Sequence, residues 1–158
     1  MGIYEHPSNA SSRPVTISSS MLKTPLTGVD ANTSLTLTFP SSQAILTTSI
    51  NLNNPSFGCT IRYERGSIII NPPIYCPQKF TVQYHDDAGK VVKEETRTIE
   101  HVGGGWHFQA DEVARCVRDG KLESGLWTHE KSLLVMEVFD DVRRSGGYIL
   151  PPGVEKVV

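Results

Sequence analysis

The apolar period of this chain changes once, from a strand-like to a helical spacing, and that change constrains the fold more than any single motif. Ser34-Leu35-Thr36-Leu37-Thr38-Phe39 alternates strictly, with three apolar residues on one face and hydroxyls on the other, and Pro40 closes the run. Before it, Val15, Ile17 and Met21 sit in a β-branched, serine-rich run that ends ahead of Pro25. After it come strand-like runs from Ala44 to Leu52, Cys59 to Tyr63, Ser67 to Asn71, Phe80 to Tyr84 and Val91 to Ile99. Glu64-Arg65-Gly66 and Asp86-Asp87-Ala88-Gly89 are hairpin-type connections, each with a glycine available for a positive φ. Connections this short join antiparallel neighbours, so the sheet is predicted to be mostly antiparallel.

The last third has a helical period. Ala110, Val113, Ala114 and Val117 fall at i, i+3, i+4 and i+7 and make one apolar stripe. Asp111 and Glu112 are expected in the first turn of this helix, Arg115 and Arg118 in the last, and Gly120 as its stop. A second helix is predicted to start at Thr128 as N-cap. It carries Val135, Val138, Phe139 and Val142 on one face, flanked by Leu134 and Met136, with Arg143 and Arg144 before Gly146-Gly147. Strands followed by segregated helices indicate an α+β fold: an open, mostly antiparallel β-sheet with helices on one face. The other face would show Ser34, Thr36, Thr38, Thr60, Arg62, Thr81 and Gln83. Such a face can be solvated, and it equally suits a flat subunit interface; the sequence leaves both open.

At 158 residues the chain fits one domain able to bury a core. Residues 1–14 read as a lead-in whose part from 8 to 14 is a turn-rich linker, 15–150 as the domain, and 151–158 as a tail. A net charge of −2 predicts no general attraction to nucleic acid or to an anionic membrane. No apolar run approaches the roughly 20 residues of a membrane span. Met1 to Pro7 carries no basic stretch followed by an apolar one, so a secretory leader is not expected. Cys59, Cys76 and Cys116 are odd in number and lack C-x-x-C spacing, which predicts reduced thiols in a cytoplasmic protein.

Chemistry is sparse. Gly103-Gly104-Gly105 is not G-x-G-x-x-G, no parallel strand-turn-helix unit surrounds it, and no P-loop occurs, so no cofactor-binding residues are assigned. The triplet can receive an anion at a helix N-terminus, but a tight turn that lets Trp106 pack is the favoured reading. His6, His85, His101, His107 and His129 show no metal-ligand spacing, and His85 and His129 read as surface residues. Trp106 and His107 are the candidate substrate-binding residues, because an indole face beside a switchable donor can line a sugar pocket. Against that stands a packed tryptophan and a capping histidine. No G-x-S-x-G elbow is present, and Ser18-Ser19-Ser20 reads as a strand face. Asp86-Asp87, Glu94-Glu95 and Asp140-Asp141 read as solvated charge pairs.

Several segments together carry a resemblance. Gly103 to Ser124, Ile3-Tyr4-Glu5-His6-Pro7, Leu26-Thr27-Gly28-Val29-Asp30, Arg65-Gly66-Ser67-Ile68, Pro72-Pro73-Ile74-Tyr75-Cys76-Pro77 and Asp140-Asp141-Val142-Arg143-Arg144 resemble the C-terminal domain of the Gfo/Idh/MocA family of NAD(P)-dependent oxidoreductases. The pattern looks most like the branch of NADP-dependent D-xylose dehydrogenases and trans-1,2-dihydrobenzene-1,2-diol dehydrogenases. The resemblance implies that residues 1–14 hold the end of the family's central helix, and that the rest shapes a sugar or diol pocket and supports oligomers through its sheet. It also implies that NADP or NAD is bound by another part of the protein. The family's Glu-Lys-Pro lysine has no counterpart here: Glu130-Lys131 and Glu155-Lys156 are followed by Ser and Val. Gly2-Ile3-Tyr4 echoes the family's D-x-G-x-Y segment, but the following Glu5-His6-Pro7 aligns Tyr4 with a later, non-catalytic position. No residue is therefore expected to be catalytic, and Met1 is expected to be an internal methionine of a longer enzyme or the start of a truncated paralogue.

Overall fold

A computed structural model describes residues 4–9, 13–52 and 58–154. Ile3, the middle of the expected linker at 10–12 and Glu155-Lys156 lie outside the described residues. The chain divides into two compact units, 1–53 with 125–158 and 54–124.

In the first unit, β1 (Thr16–Lys23), β2 (Asp30–Thr38) and β3 (Gln43–Ser49) form an antiparallel ladder in that order. The register places Ile17 opposite Leu37, Ser19 opposite Leu35 and Met21 opposite Thr33. Leu35 and Leu37 face Leu46 and Ala44 across the other edge of β2. Because directly opposed residues share a side, these positions make one face. Helix α2 (His129–Ser145) packs on it along β1. Ser19 Oγ donates to the Val142 carbonyl at 2.6 Å, and the Ser19 N–H donates to Ser145 Oγ at 2.9 Å. Ala31, Phe39, Leu134 and Val142 are buried here. The strict alternation of β2 thus orders the core, and Ser34, Thr36 and Thr38 fall on the opposite face, as expected.

Thr128 caps α2, its Oγ1 accepting from the Lys131 N–H at 3.3 Å. The helix ends with Gly147 at φ 67 and the Tyr148 and Gly147 N–H groups on the Arg143 and Arg144 carbonyls, a left-handed glycine stop. Its inward face differs from the expected one. Leu134 is buried rather than flanking, and Phe139 is 49% exposed. The inward face runs through Lys131, Leu134, Val135, Val138 and Val142, rotated from the expected stripe toward Leu134 and away from Phe139.

The expected linker is anchored in part. Pro7–Asn9 form one 3-10 turn, and Asn9 is 1% exposed. Its amide donates to Ser42 Oγ at 2.7 Å and accepts from Ser41 Oγ at 2.9 Å, tying the β2–β3 turn. Glu5 pairs with Lys131 at 2.6 Å. Lys131 therefore ties Glu5 to the first turn of α2.

In the second unit, β4 (Cys59–Tyr63), β5 (Gly66–Ile70), β6 (Lys79–His85) and β7 (Val91–Thr98) form a four-stranded antiparallel ladder in sequence order. The strands are those the periodicity predicts, within two residues at most ends. Asp86 Oδ1 accepts from the Ala88 and Lys90 N–H groups, and Gly89 stands at φ 77, so the β6–β7 hairpin is built as expected. The β4–β5 connection is the expected hairpin over Glu64-Arg65, but its glycine serves differently. Gly66 has no positive φ; it is needed because a Cβ there would come 2.6 Å from the Gln83 carbonyl oxygen of the neighbouring strand. Helix α1 (Trp106–Arg118) closes the unit.

The fold class is α+β as predicted, with antiparallel ladders and two helices, and no parallel β-α-β unit is found among the described residues. No helix among them is long and apolar enough to cross a membrane. The shifted seam makes a direct test. Leu134→Ala is expected to cost about 2–4 kcal/mol in urea unfolding, and Phe139→Ala less than about 1 kcal/mol. Equal losses would place the seam where the sequence put it.

Candidate functional site

The glycine triplet, the start of α1 and the loop before β6 converge in the second unit. Gly103 and Gly105 stand at φ 72 and 82, and Gly105 is the N-cap, with no side-chain cap bond. The first turn is Trp106 to Gln109, which places Asp111 and Glu112 beyond it, against expectation. A Cβ on Gly105 would overlap Cys76 Sγ, so the backbone is stripped there to admit the thiol.

Trp106 and His107 stand side by side at the helix entry. Trp106 is 71% exposed, so the packed tryptophan is not what the chain builds. Its neighbour on the turn is Gly104, where a Cβ would lie 3.0 Å from Trp106 Nε1. His107 is exposed too, and its ring sits 4.1 Å from that of Phe108, tilted by 41°. It does not cap the helix. The two candidates therefore share an open surface.

Sequence reading missed a second histidine at this place. Cys76 Sγ lies 3.1 Å from His101 Nε2, and Phe108 meets the His101 ring edge-on at 5.6 Å between centroids. A depression of about 410 Å³ opens alongside, lined by Gln78, Thr98, Ile99, Glu100, His101 and Val102. The pair is 25 residues apart, and no local spacing announces it. Only the requirement for glycine at position 105 hints that something presses on that turn.

The other end of α1 is structural. Gly120 at φ 64 donates to the Val117 carbonyl, and the Lys121 N–H reaches the Cys116 carbonyl at 2.8 Å, the predicted stop. Glu112 Oε1 accepts from Ser124 Oγ at 2.6 Å and from the Cys116 thiol at 3.7 Å. The Ser124 bond, aided by Cys116 and by Arg115 and Lys121, holds the Glu112 carboxyl below its ordinary value. Burial and the adjacent Glu112 charge push the Cys116 thiol up.

The paired carboxylates act as charge pairs. Asp87 faces Arg65, Glu95 faces Lys93 at 2.5 Å, and Asp140 and Asp141 take Arg143 and Arg144. His129 is exposed on the first turn of α2, whereas His85 is half-buried at the end of β6, its N–H on the Arg65 carbonyl. No three His, Cys, Asp or Glu groups gather as a metal would need among the described residues.

The architecture is that of an open-sheet α+β domain, and the comparisons give it relatives. No protein-family model matches the chain. It is 32% identical over 144 residues to the D-xylose 1-dehydrogenase (NADP(+)) of Hypocrea jecorina, a match covering 79% of this chain and 34% of that protein. It is 26% identical to the trans-1,2-dihydrobenzene-1,2-diol dehydrogenase of Oryctolagus cuniculus, covering 79% of this chain and 38% of the relative. Among solved structures, yvaA of Bacillus subtilis, described as an oxidoreductase, superposes with a TM-score of 0.58 at 16% identity, over 92% of this chain and 46% of that one. These matches link the chain at the family level to Gfo/Idh/MocA-type oxidoreductases, and the structural likeness shows the C-terminal-domain-like fold of that family. The chain spans about a third of the length of the curated relatives it matches.

The Glu112 bonds give a signed pH expectation. A carboxyl lowered in the folded chain stabilises it above the ordinary glutamate range, and that contribution is lost as pH falls through the lowered value. Ser124→Ala is expected to move the Glu112 titration upward, read by carboxyl carbon NMR. An unmoved titration would show that the hydroxyl contributes nothing.

Proposed function

We propose that this chain provides the C-terminal, substrate-shaping and oligomer-forming part of an NADP- or NAD-dependent oxidoreductase that acts on the CH–OH group of a small sugar or dihydrodiol. The observation that carries this is the match to an NADP-dependent D-xylose 1-dehydrogenase over four-fifths of the chain. Two dihydrodiol dehydrogenases and an NADP-dependent scyllo-inositol 2-dehydrogenase of Bacillus subtilis support the same class of substrate. In this reading the chain is not catalytic by itself. Hydride transfer requires a nicotinamide held against the substrate, and the dinucleotide fold and proton donor that do so would come from the family's other half. Oligomers form through the hydroxyl-rich sheet faces that carry Ser34, Thr36, Thr38, Thr60, Arg62 and Gln83, with Thr81 buried beneath on Thr96. The setting is the cytoplasm, where Cys59, Cys76 and Cys116 stay reduced.

Calorimetric titration of the purified chain with NADP(H) and NAD(H), followed by D-xylose turnover, tests this. Neither heat nor turnover is expected from the chain alone. Micromolar cofactor binding with turnover would overturn the assignment of the cofactor to another part.

A second reading is a stand-alone carbohydrate-binding or oligomerisation module. The exposed indole of Trp106 beside His107 favours it, since an open aromatic face can stack on a sugar ring. It predicts a saturable change in tryptophan fluorescence with D-xylose that Trp106→Ala removes. Unchanged emission up to high sugar concentration would set it aside.

A further inference from the structure

We propose that Cys76 and His101 form a modification site at which a hydroperoxide oxidises the Cys76 thiol while His101 takes up its proton. Three features meet there. The sulfur stands 3.1 Å from His101 Nε2, so with the ring proton on Nδ1 that nitrogen accepts from the thiol. The imidazole meets Phe108 edge-on at 5.6 Å between centroids, and His101 is one of the residues lining the depression of about 410 Å³. Gly105 leaves the space that the sulfur fills.

The other two thiols lack this arrangement and serve as internal references. Cys116 has a carboxylate, Glu112, where Cys76 has an imidazole, and both burial and that charge hold its proton on. Cys59 lies exposed on β4, which makes it a measure of bare accessibility. Glu100 lines the same depression as His101 and is the charged group to be counted with it.

In the reaction, Sγ attacks one peroxide oxygen, so that an S–O bond forms as the O–O bond breaks. The thiol proton passes to His101 Nε2 and then to the departing oxygen, which leaves as water or an alcohol. Sulfur is oxidised by two electrons to a sulfenic acid and the peroxide is reduced. The added oxygen has to find room against Gly105, so oxidation presses on the turn from which α1 starts.

The test is competitive alkylation of the full chain with iodoacetamide at neutral pH, with each cysteine followed by peptide mass spectrometry. A parallel sample is treated with hydrogen peroxide and trapped with dimedone. Cys76 is expected to react ahead of exposed Cys59 and well ahead of Cys116, and to carry the dimedone label. His101→Gln is expected to slow Cys76 by about ten-fold and leave Cys59 and Cys116 unchanged. A wild-type chain in which Cys76 trails Cys59, or a His101→Gln variant that leaves its rate unaltered, overturns the proposal. The wild-type ranking needs no variant, so it decides the matter even if the substitution disturbs folding.

Discussion

The seam between α2 and β1 is the contact on which the first unit depends. It joins residues more than 100 positions apart, so its loop-closure cost must be met by burial. Leu134 and Val142 each contribute about 1.5–3 kcal/mol by leaving water, and Ala31 and Phe39 close the same layer. The polar bonds at the seam set its register. Ser19 donates to the last turn of the helix through its hydroxyl and its backbone, and Lys23 Nζ donates to the Gly147 carbonyl beyond it. Gly146 stands close to this strand, where a Cβ would meet the flexible end of the Met21 side chain at 2.7 Å.

The second unit shows the opposite balance. Its ladder is regular and its turns and helix stop are well made, yet the buried apolar side chains among the described residues all belong to the first unit. The stripe of α1 is the clearest case: Val113 is 63% exposed and Val117 74%. An amphipathic helix gains its stability by covering such a stripe. This face lies uncovered in a chain a third the length of its curated relatives.

How much of this was legible in the sequence depended on how local the cause was. The strands of the second ladder, the Thr128 cap, the Gly120 stop and the Asp86 hairpin all follow from neighbouring residues, and the period or turn chemistry places them nearly to the residue. Errors arose where a partner distant in sequence decides. Leu134 looks like a flank until β1 takes its place against it, and Gly66 looks like a turn glycine until the Gln83 carbonyl fills its side. Asn9 sits in a run of small polar residues that reads as linker. Its burial rests on Ser41 and Ser42, more than 30 residues away. At the candidate site, Trp106 and His107 were visible because they adjoin the glycine turn, and Cys76–His101 was not.

That asymmetry bears on what the site can do. Trp106 and His107 are adjacent in sequence and open to water, and although Phe108 stands 4.1 Å from the His107 ring, nothing excludes competing solvent from either side chain. Chemistry requires groups held at set distances by their surroundings. The Cys76–His101 pair meets that requirement more closely, because Phe108 fixes the imidazole and Gly105 seats the sulfur. The two parts of the functional reading are therefore independent: the family-level role rests on similarity along most of the chain, and the thiol chemistry rests on three contacts inside one unit.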